Sequence, residues 1–315
     1  MPGHGRERGV DTLTGGRSLR HRSVAWAGGQ TRRTFLAVAA LLLSSAIGKA
    51  ASGTNVVPCE KSIRWLAFYG AIGDEAILAT YDIVVLDPAF QGSISLVAGA
   101  GARVCGYLSL GEIRSADPFL AFVDPAALLP ENPDWPGTRR VDIRNPSWRS
   151  LVLERRIPAL ASQGFTGVMF DTLDTPPYLE QLDPVRYRGM REAAIELVDA
   201  IRTRWPDMML IMNRGYALLP DVAHKLDAVI AESLITSPDH RAGGFAWVDA
   251  DQVELQLTLL GPAVRRHPPM PILSLDYWDP DDTKTIAEIY RRERELGHHP
   301  YVATRSIDRI VPEER

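Results

Sequence analysis

Cysteine is nearly absent from this chain: Cys59 and Cys105 are the only two in 315 residues. That excludes a small disulfide-stapled scaffold and a cysteine-rich zinc module. Basic character is equally scarce, since 35 Lys and Arg against 39 Asp and Glu leave a net charge of −4. Nucleic-acid binding, which calls for a basic domain or stripe, is therefore not expected. The chain has no glycine-rich phosphate or dinucleotide loop and no GxSxG nucleophile elbow. Its seven histidines, at positions 4, 21, 224, 240, 267, 298 and 299, end none of the predicted strands. A histidine-ligated metal centre is not expected, nor is any other cofactor. No apolar run reaches the roughly 20 residues of a membrane span.

The apolar run that does occur near the start, Phe35 to Ile47, follows Arg32 and Arg33 and precedes small residues around Ala50. This order reads as an export signal, and the paired arginines ahead of Thr34, Phe35 and Leu36 resemble the twin-arginine type. Residues 1–51 are expected to be a leader removed near Ala50 or Ala51, with the twin-arginine machinery as a partner. No membrane span would remain, and the mature protein would be periplasmic or extracellular. One Cys59–Cys105 bridge is conceivable there, but Cys105 lies in an apolar strand pattern, where a cysteine acts as a small buried hydrophobe.

From residue 58 to 315 a single rhythm repeats: a short apolar or β-branched run, a polar loop, a helical pattern. The runs are RWLAFYG from Arg64, DIVVLDP from Asp82, VCGYLSLGE from Val104, GVMFD from Gly167, MLIMNRG from Met209, AVIAES from Ala228, PILSLDYW from Pro271 and PYVAT from Pro300. Asn145 and Pro146 read as the cap and first turn of a helix reaching Ser162. Met190, Ala194, Leu197, Ile201 and Trp205 share one face of another helix, and Ile286, Ile289 and Tyr290 one face of a third. Eight strands alternating with helices over about 250 residues predict a single-domain (β/α)8 TIM barrel. The proline-rich region from Asp117 to Thr138 has no periodicity.

Barrel enzymes build their sites where the strands end. Those ends offer Tyr69, Asp87, Glu112, Asp171, Asp174, Asn213, Arg214, Glu232, Asp276, Tyr277 and Arg305, with Tyr107 among the aromatics near the rim. In GVMFD, alternation puts Asp171 and Met169 on one face and Phe170 on the other, so Asp171 is expected to point into the barrel mouth. Asp171 and Glu232 both close apolar runs, where an inward carboxylate needs a compensating interaction. Asp87 and Asp276 are equally readable as turn or cap residues. Two carboxyls from strands four and six, about two strand spacings apart, suit glycosidic bond cleavage, with the stereochemical outcome open.

The segments YLSLGE (Tyr107 to Glu112), NPSWRSLVLERRIPALASQGFTGVMFDTLD (Asn145 to Asp174), NRG (Asn213 to Gly215) and AES (Ala231 to Ser233) together resemble glycoside hydrolase family 114, the endo-α-1,4-polygalactosaminidases. The resemblance implies a barrel enzyme cleaving α-1,4 links in galactosamine-containing polysaccharide. It implies Glu232 and either Asp171 or Asp174 as the catalytic pair, with Asp171 preferred on its facing as nucleophile and Glu232 as acid/base. Tyr69, Asp87, Tyr107, Glu112, Asp174, Asn213, Arg214, Asp276 and Tyr277 are the expected substrate-binding residues. A barrel that binds such a polymer without cleaving it, or a hydrolase of another exopolysaccharide, is the alternative.

Overall fold

The computed structural model describes residues 62–239 and 242–313; the leader and Cys59 lie outside the described residues. Eight parallel strands form one sheet: β1 (Trp65–Phe68), β2 (Ile83–Leu86), β3 (Arg103–Ser109), β4 (Gly167–Asp171), β5 (Met209–Asn213), β6 (Ala228–Glu232), β7 (Ile272–Tyr277) and β8 (His299–Ala303). They neighbour one another in chain order, and helices pack outside them. The expected (β/α)8 barrel is thus realised. Nearly every strand residue is buried, because parallel strands have one face toward the barrel axis and the other toward helices. Cys105 is a free, fully buried thiol on β3.

β1 and β8 lie side by side without a ladder of strand pairing. They are joined instead by the Trp65 indole N–H donating to the His299 carbonyl at 2.7 Å and by the Ile63 N–H donating to His299 Nδ1 at 3.1 Å. At the upper end the Tyr69 N–H donates to the Ile307 carbonyl.

The helix after Asn145 starts as expected, with the Asn145 side chain accepting from the Ser147 N–H at 2.8 Å. It then widens into one π-helical stretch, Val152–Arg156, before continuing as Ile157–Gln163. Pro158 explains the widening: it lacks an N–H and its ring crowds the carbonyl four residues earlier. Two further helices, α1 (Met190–Arg204) and α2 (Thr283–Glu295), bury the faces expected of them, Met190, Ala194, Leu197 and Ile201 on the first and Ile286, Ile289 and Tyr290 on the second.

The region without periodicity is ordered as a small antiparallel sheet. Glu112–Arg114 pairs with Thr138–Val141, which pairs with Leu128–Glu131. β3 therefore ends at Ser109, and Glu112 opens a separate strand.

Candidate active site

Asp171, Asn213 and Glu232 are the last residues of β4, β5 and β6. In each case the next residue, Thr172, Arg214 or Ser233, adopts a left-handed backbone, with φ of 62°, 53° and 55°. None is glycine, so each kink costs conformational energy and must be held by its surroundings. Thr172, being β-branched, is the least suited to it. Its hydroxyl accepts from the Gly111 N–H at 2.8 Å and pairs with the Ser109 hydroxyl at 2.8 Å, tying the end of β4 to the end of β3. Three consecutive strands thus stop abruptly, each leaving a polar side chain at the barrel mouth.

Asn213 stands between the two carboxylates. Its Nδ2 donates to Asp171 Oδ1 at 3.1 Å and to Glu232 Oε2 at 2.9 Å. Both neighbours are acceptors, which fixes the orientation of the amide. Hanging on one nitrogen, the two oxygens are no more than about 6 Å apart, the two lengths laid end to end. The Tyr107 hydroxyl donates to Asp171 Oδ2 at 2.8 Å, and the Tyr277 hydroxyl to Glu232 Oε1 at 2.7 Å. Each carboxylate therefore has two side-chain donors, and both are buried, at 8% and 9% exposure.

Burial, and then the neighbouring charge of Glu232, push the Asp171 carboxyl up to about 6, against the pull of the Tyr107 hydrogen bond. Burial and the charge of Asp171 likewise hold the Tyr107 phenol well above its usual range, so it remains a donor. Asp174 stands at the start of the helix Thr175–Leu182 with no side-chain capping bond, and Asn213 bonds Asp171 and Glu232 instead. Its carboxyl is raised by burial, and the Arg214 guanidinium opposes that shift.

A family profile described as "Glycoside-hydrolase family GH114" matches residues 48–314. The chain belongs to glycoside hydrolase family 114. It is a glycoside hydrolase, and the strand-end carboxylates of its barrel are where that activity is to be sought. The glycoside hydrolase domain of PelA from Pseudomonas aeruginosa is similar at 26% identity and a TM-score of 0.72, over 80% of this chain and 99% of that one. Ega3 of Aspergillus fumigatus, solved in complex with galactosamine, shares the fold at 17% identity and a TM-score of 0.57, over 83% and 98%. An uncharacterised protein of Deinococcus radiodurans is 25% identical over 73% of this chain and 75% of its own length.

Within this family 114 barrel, the expected site residues divide into three groups. Asp171, Glu232, Asn213, Tyr107 and Tyr277 form one hydrogen-bonded cluster. Tyr69 joins it by an edge contact with Tyr107, ring centroids 5.4 Å apart. Asp87, Asp174 and Arg214 are half-buried around it. Asp87 Oδ2 lies 3.5 Å from the Arg114 guanidinium, a residue that the sequence did not single out and that also sits 5.9 Å from the Tyr107 ring.

Two expectations need correction. Asp276 does not face the mouth: it is fully buried on the outer side of β7, and its Oδ1 accepts from the Ile235 and Thr236 N–H groups at 2.9 and 2.6 Å. Asp276 and Tyr277 are consecutive in one strand, so alternation allows only one of them to point inward. Glu112 is 2% exposed beneath the rim, where its Oε1 accepts from the Asn132 amide and the Thr175 hydroxyl, each at 2.9 Å. Burial pushes it up to about 7; it braces the loop carrying Asp174 rather than lining the cleft. Three further aromatics near the rim are also engaged elsewhere. Tyr216 bonds Gln256, Tyr178 lies under the Arg140 guanidinium, and Trp278 packs with Phe245 and Trp247.

Proposed function

We propose that this protein is an exported, retaining hydrolase that cleaves α-1,4 links in galactosamine-containing polysaccharide, with Asp171 as nucleophile and Glu232 as acid/base. The shared Asn213 nitrogen carries the assignment. It keeps the facing carboxylate oxygens within about 6 Å, near the ~5–5.5 Å of retaining glycosidases and short of the ~6.5–9.5 Å an inverting enzyme needs for its water. In the first half-reaction Asp171 attacks the anomeric carbon while Glu232 gives its proton to the departing oxygen. In the second, Glu232 takes a proton from the water that displaces Asp171. Asn213 and Tyr107 hold the attacking carboxylate in line, and Tyr277 holds the acid.

The galactosamine class is supported by the family, by the galactosamine held in the Ega3 structure and by the charge of the cleft. Asp87, Asp171, Asp174 and Glu232 gather there, and an ammonium-bearing sugar would be drawn to them. Export rests on the sequence alone, on Arg32 and Arg33 ahead of the apolar run Phe35 to Ile47 and the small residues around Ala50.

The test uses the purified mature chain on deacetylated galactosaminan and on an activated aryl oligosaccharide. Wild type should release reducing ends of α configuration at the earliest times. With azide, Asp171→Gly should give a β-glycosyl azide, and Glu232→Ala an α-glycosyl azide. Initial release of β ends would refute retention. Polymer binding without turnover would make the barrel a carbohydrate-binding protein.

A further inference from the structure

Behind the barrel wall, away from the cleft, Asp276 on β7 meets Glu293 on α2, and both side chains are fully buried. Each acid bears directly on the other's protonation. Among the described residues, Asp276 Oδ2 and Glu293 Oε1 have no donor, and neither acid forms an ion pair with Lys or Arg. The titratable groups that bear on the pair are His298, from the turn after α2, whose Nδ1 lies 2.7 Å from Glu293 Oε2, and Tyr216, whose phenol the charge of Glu293 helps to raise. Burial pushes His298 down to about 4, which favours the neutral imidazole. Ser274, Ile235 and Thr236 supply the remaining polar neighbours. Two carboxyls buried beside each other with no Lys or Arg partner strongly disfavour double ionisation.

We infer that Asp276 and Glu293 share one buried proton and that the pair is a positioning device for Glu232, taking Glu232 as the acid/base group proposed above. The connection can be followed bond by bond. Asp276 Oδ1 accepts from the N–H groups of Ile235 and Thr236, three and four residues past Glu232. The Thr236 hydroxyl accepts from the Tyr277 N–H at 3.3 Å. The Tyr277 hydroxyl donates to Glu232. Asp276 thus pins the chain that leaves Glu232 while its own neighbour holds the Glu232 carboxylate from the other side of the strand. The proton lets two acids occupy one dry spot, leaving Asp276 Oδ1 free to accept. Burial first, and then Glu293, raise Asp276 well above the usual carboxylate range, and burial raises Glu293 to about 7.

The inference is tested on the full mature chain with Asp276→Asn, Asp276→Ala and Glu293→Gln. Asparagine reproduces the pattern, accepting from the two amides and donating to Glu293, so Asp276→Asn should keep kcat and KM close to wild type. Asp276→Ala should lose about 10²-fold in kcat at unchanged KM. Its crystal structure should show the Tyr277 hydroxyl drawn away from Glu232. In infrared spectra at pH 8, wild type should show a protonated carboxyl band that Asp276→Asn and Glu293→Gln both lack. Absence of that band in wild type would overturn the shared proton. An Asp276→Ala structure with the Tyr277–Glu232 bond intact would overturn the positioning role. If no variant or wild type hydrolyses the polymer, the proposed function fails, while the spectra and structures still decide on the pair.

Discussion

Gly111 lies so close to Thr172 that a Cβ placed on it would sit 2.3 Å from the Thr172 carbonyl oxygen. The contact is backbone to backbone, so no side-chain rotation can relieve it. Thr172 is the left-handed residue that ends β4 directly after Asp171. Gly111→Ala should therefore displace the kink and Asp171 together, costing about 2 kcal/mol of stability, as overpacking does. Activity should fall by more than that loss of folded protein explains. Urea denaturation beside kcat on soluble, folded protein separates the two effects; an alanine variant with normal kcat would show that Asp171 does not depend on this contact.

Asn213 supplies the one donor shared by the two acids. Asn213→Ala should lower kcat/KM by about 10²-fold, the usual loss when a preorganised donor is removed. It should also shift the acid limb of the pH profile upward, because repulsion between the two carboxylates is no longer offset. Asn213→Asp, which puts a third acid between them, should be worse at neutral pH and partly recover as pH falls. Equal activity for all three proteins across the pH range would remove Asn213 from the mechanism.

Asp171 must be ionised to attack, and it is held up to about 6. Activity should accordingly rise with pH through about 6. Tyr107→Phe deletes a hydrogen bond that favours the ionised form, so its acid limb should move to higher pH. The same shift has a stability consequence of defined sign. A carboxyl raised in the fold binds its proton more tightly there than in the unfolded chain. Its contribution is most favourable below about pH 4 and is lost as pH rises through about 6. Asp171→Asn should then stabilise the protein at pH 8, by about 1–3 kcal/mol, and not at pH 4. Thermal unfolding at the two pH values checks it, and equal shifts at both would contradict the linkage.

Arg156 is buried under the same end of the barrel. It donates to the Ser109 carbonyl at 2.8 Å and to Asp117 Oδ2 at 2.9 Å, and lies 5.2 Å from the Trp148 ring. Lysine keeps the charge but cannot span two acceptors while lying flat on the indole. Arg156→Lys should cost about 2 kcal/mol, less than the ~3–5 kcal/mol of a buried pair that loses a partner because the charge is kept, and an unchanged denaturation midpoint would mean that the charge alone suffices.

All eight barrel strands were legible in the sequence, because strands buried on both faces must be continuous apolar runs. Asp171 and Glu232 were legible for the converse reason: each is a carboxylate that ends such a run. Alternation within PILSLDYW also held the information that excludes Asp276, since Tyr277 follows it directly. The small sheet between Glu112 and Val141 was not legible. Its strands are three or four residues long, flanked by prolines, and too short to establish a period. Nor were the kinks at Thr172, Arg214 and Ser233, since none of these residue types announces a left-handed backbone. The π-helical turn had a signal in Pro158, but one proline does not say whether a helix breaks or widens.

The seam between β1 and β8 sets a condition on when this enzyme can come into being. Its two lower ties join residues 234 and 236 positions apart, and the upper one reaches Ile307. No growing chain on a ribosome can close that ring until residues 299 to 307 have emerged. Until then the sheet carries two unguarded margins that invite a neighbouring copy. If the chain is exported as proposed above, a secretion route that accepts only finished proteins would spare such a half-made cylinder from crossing a membrane and having to assemble on the far side.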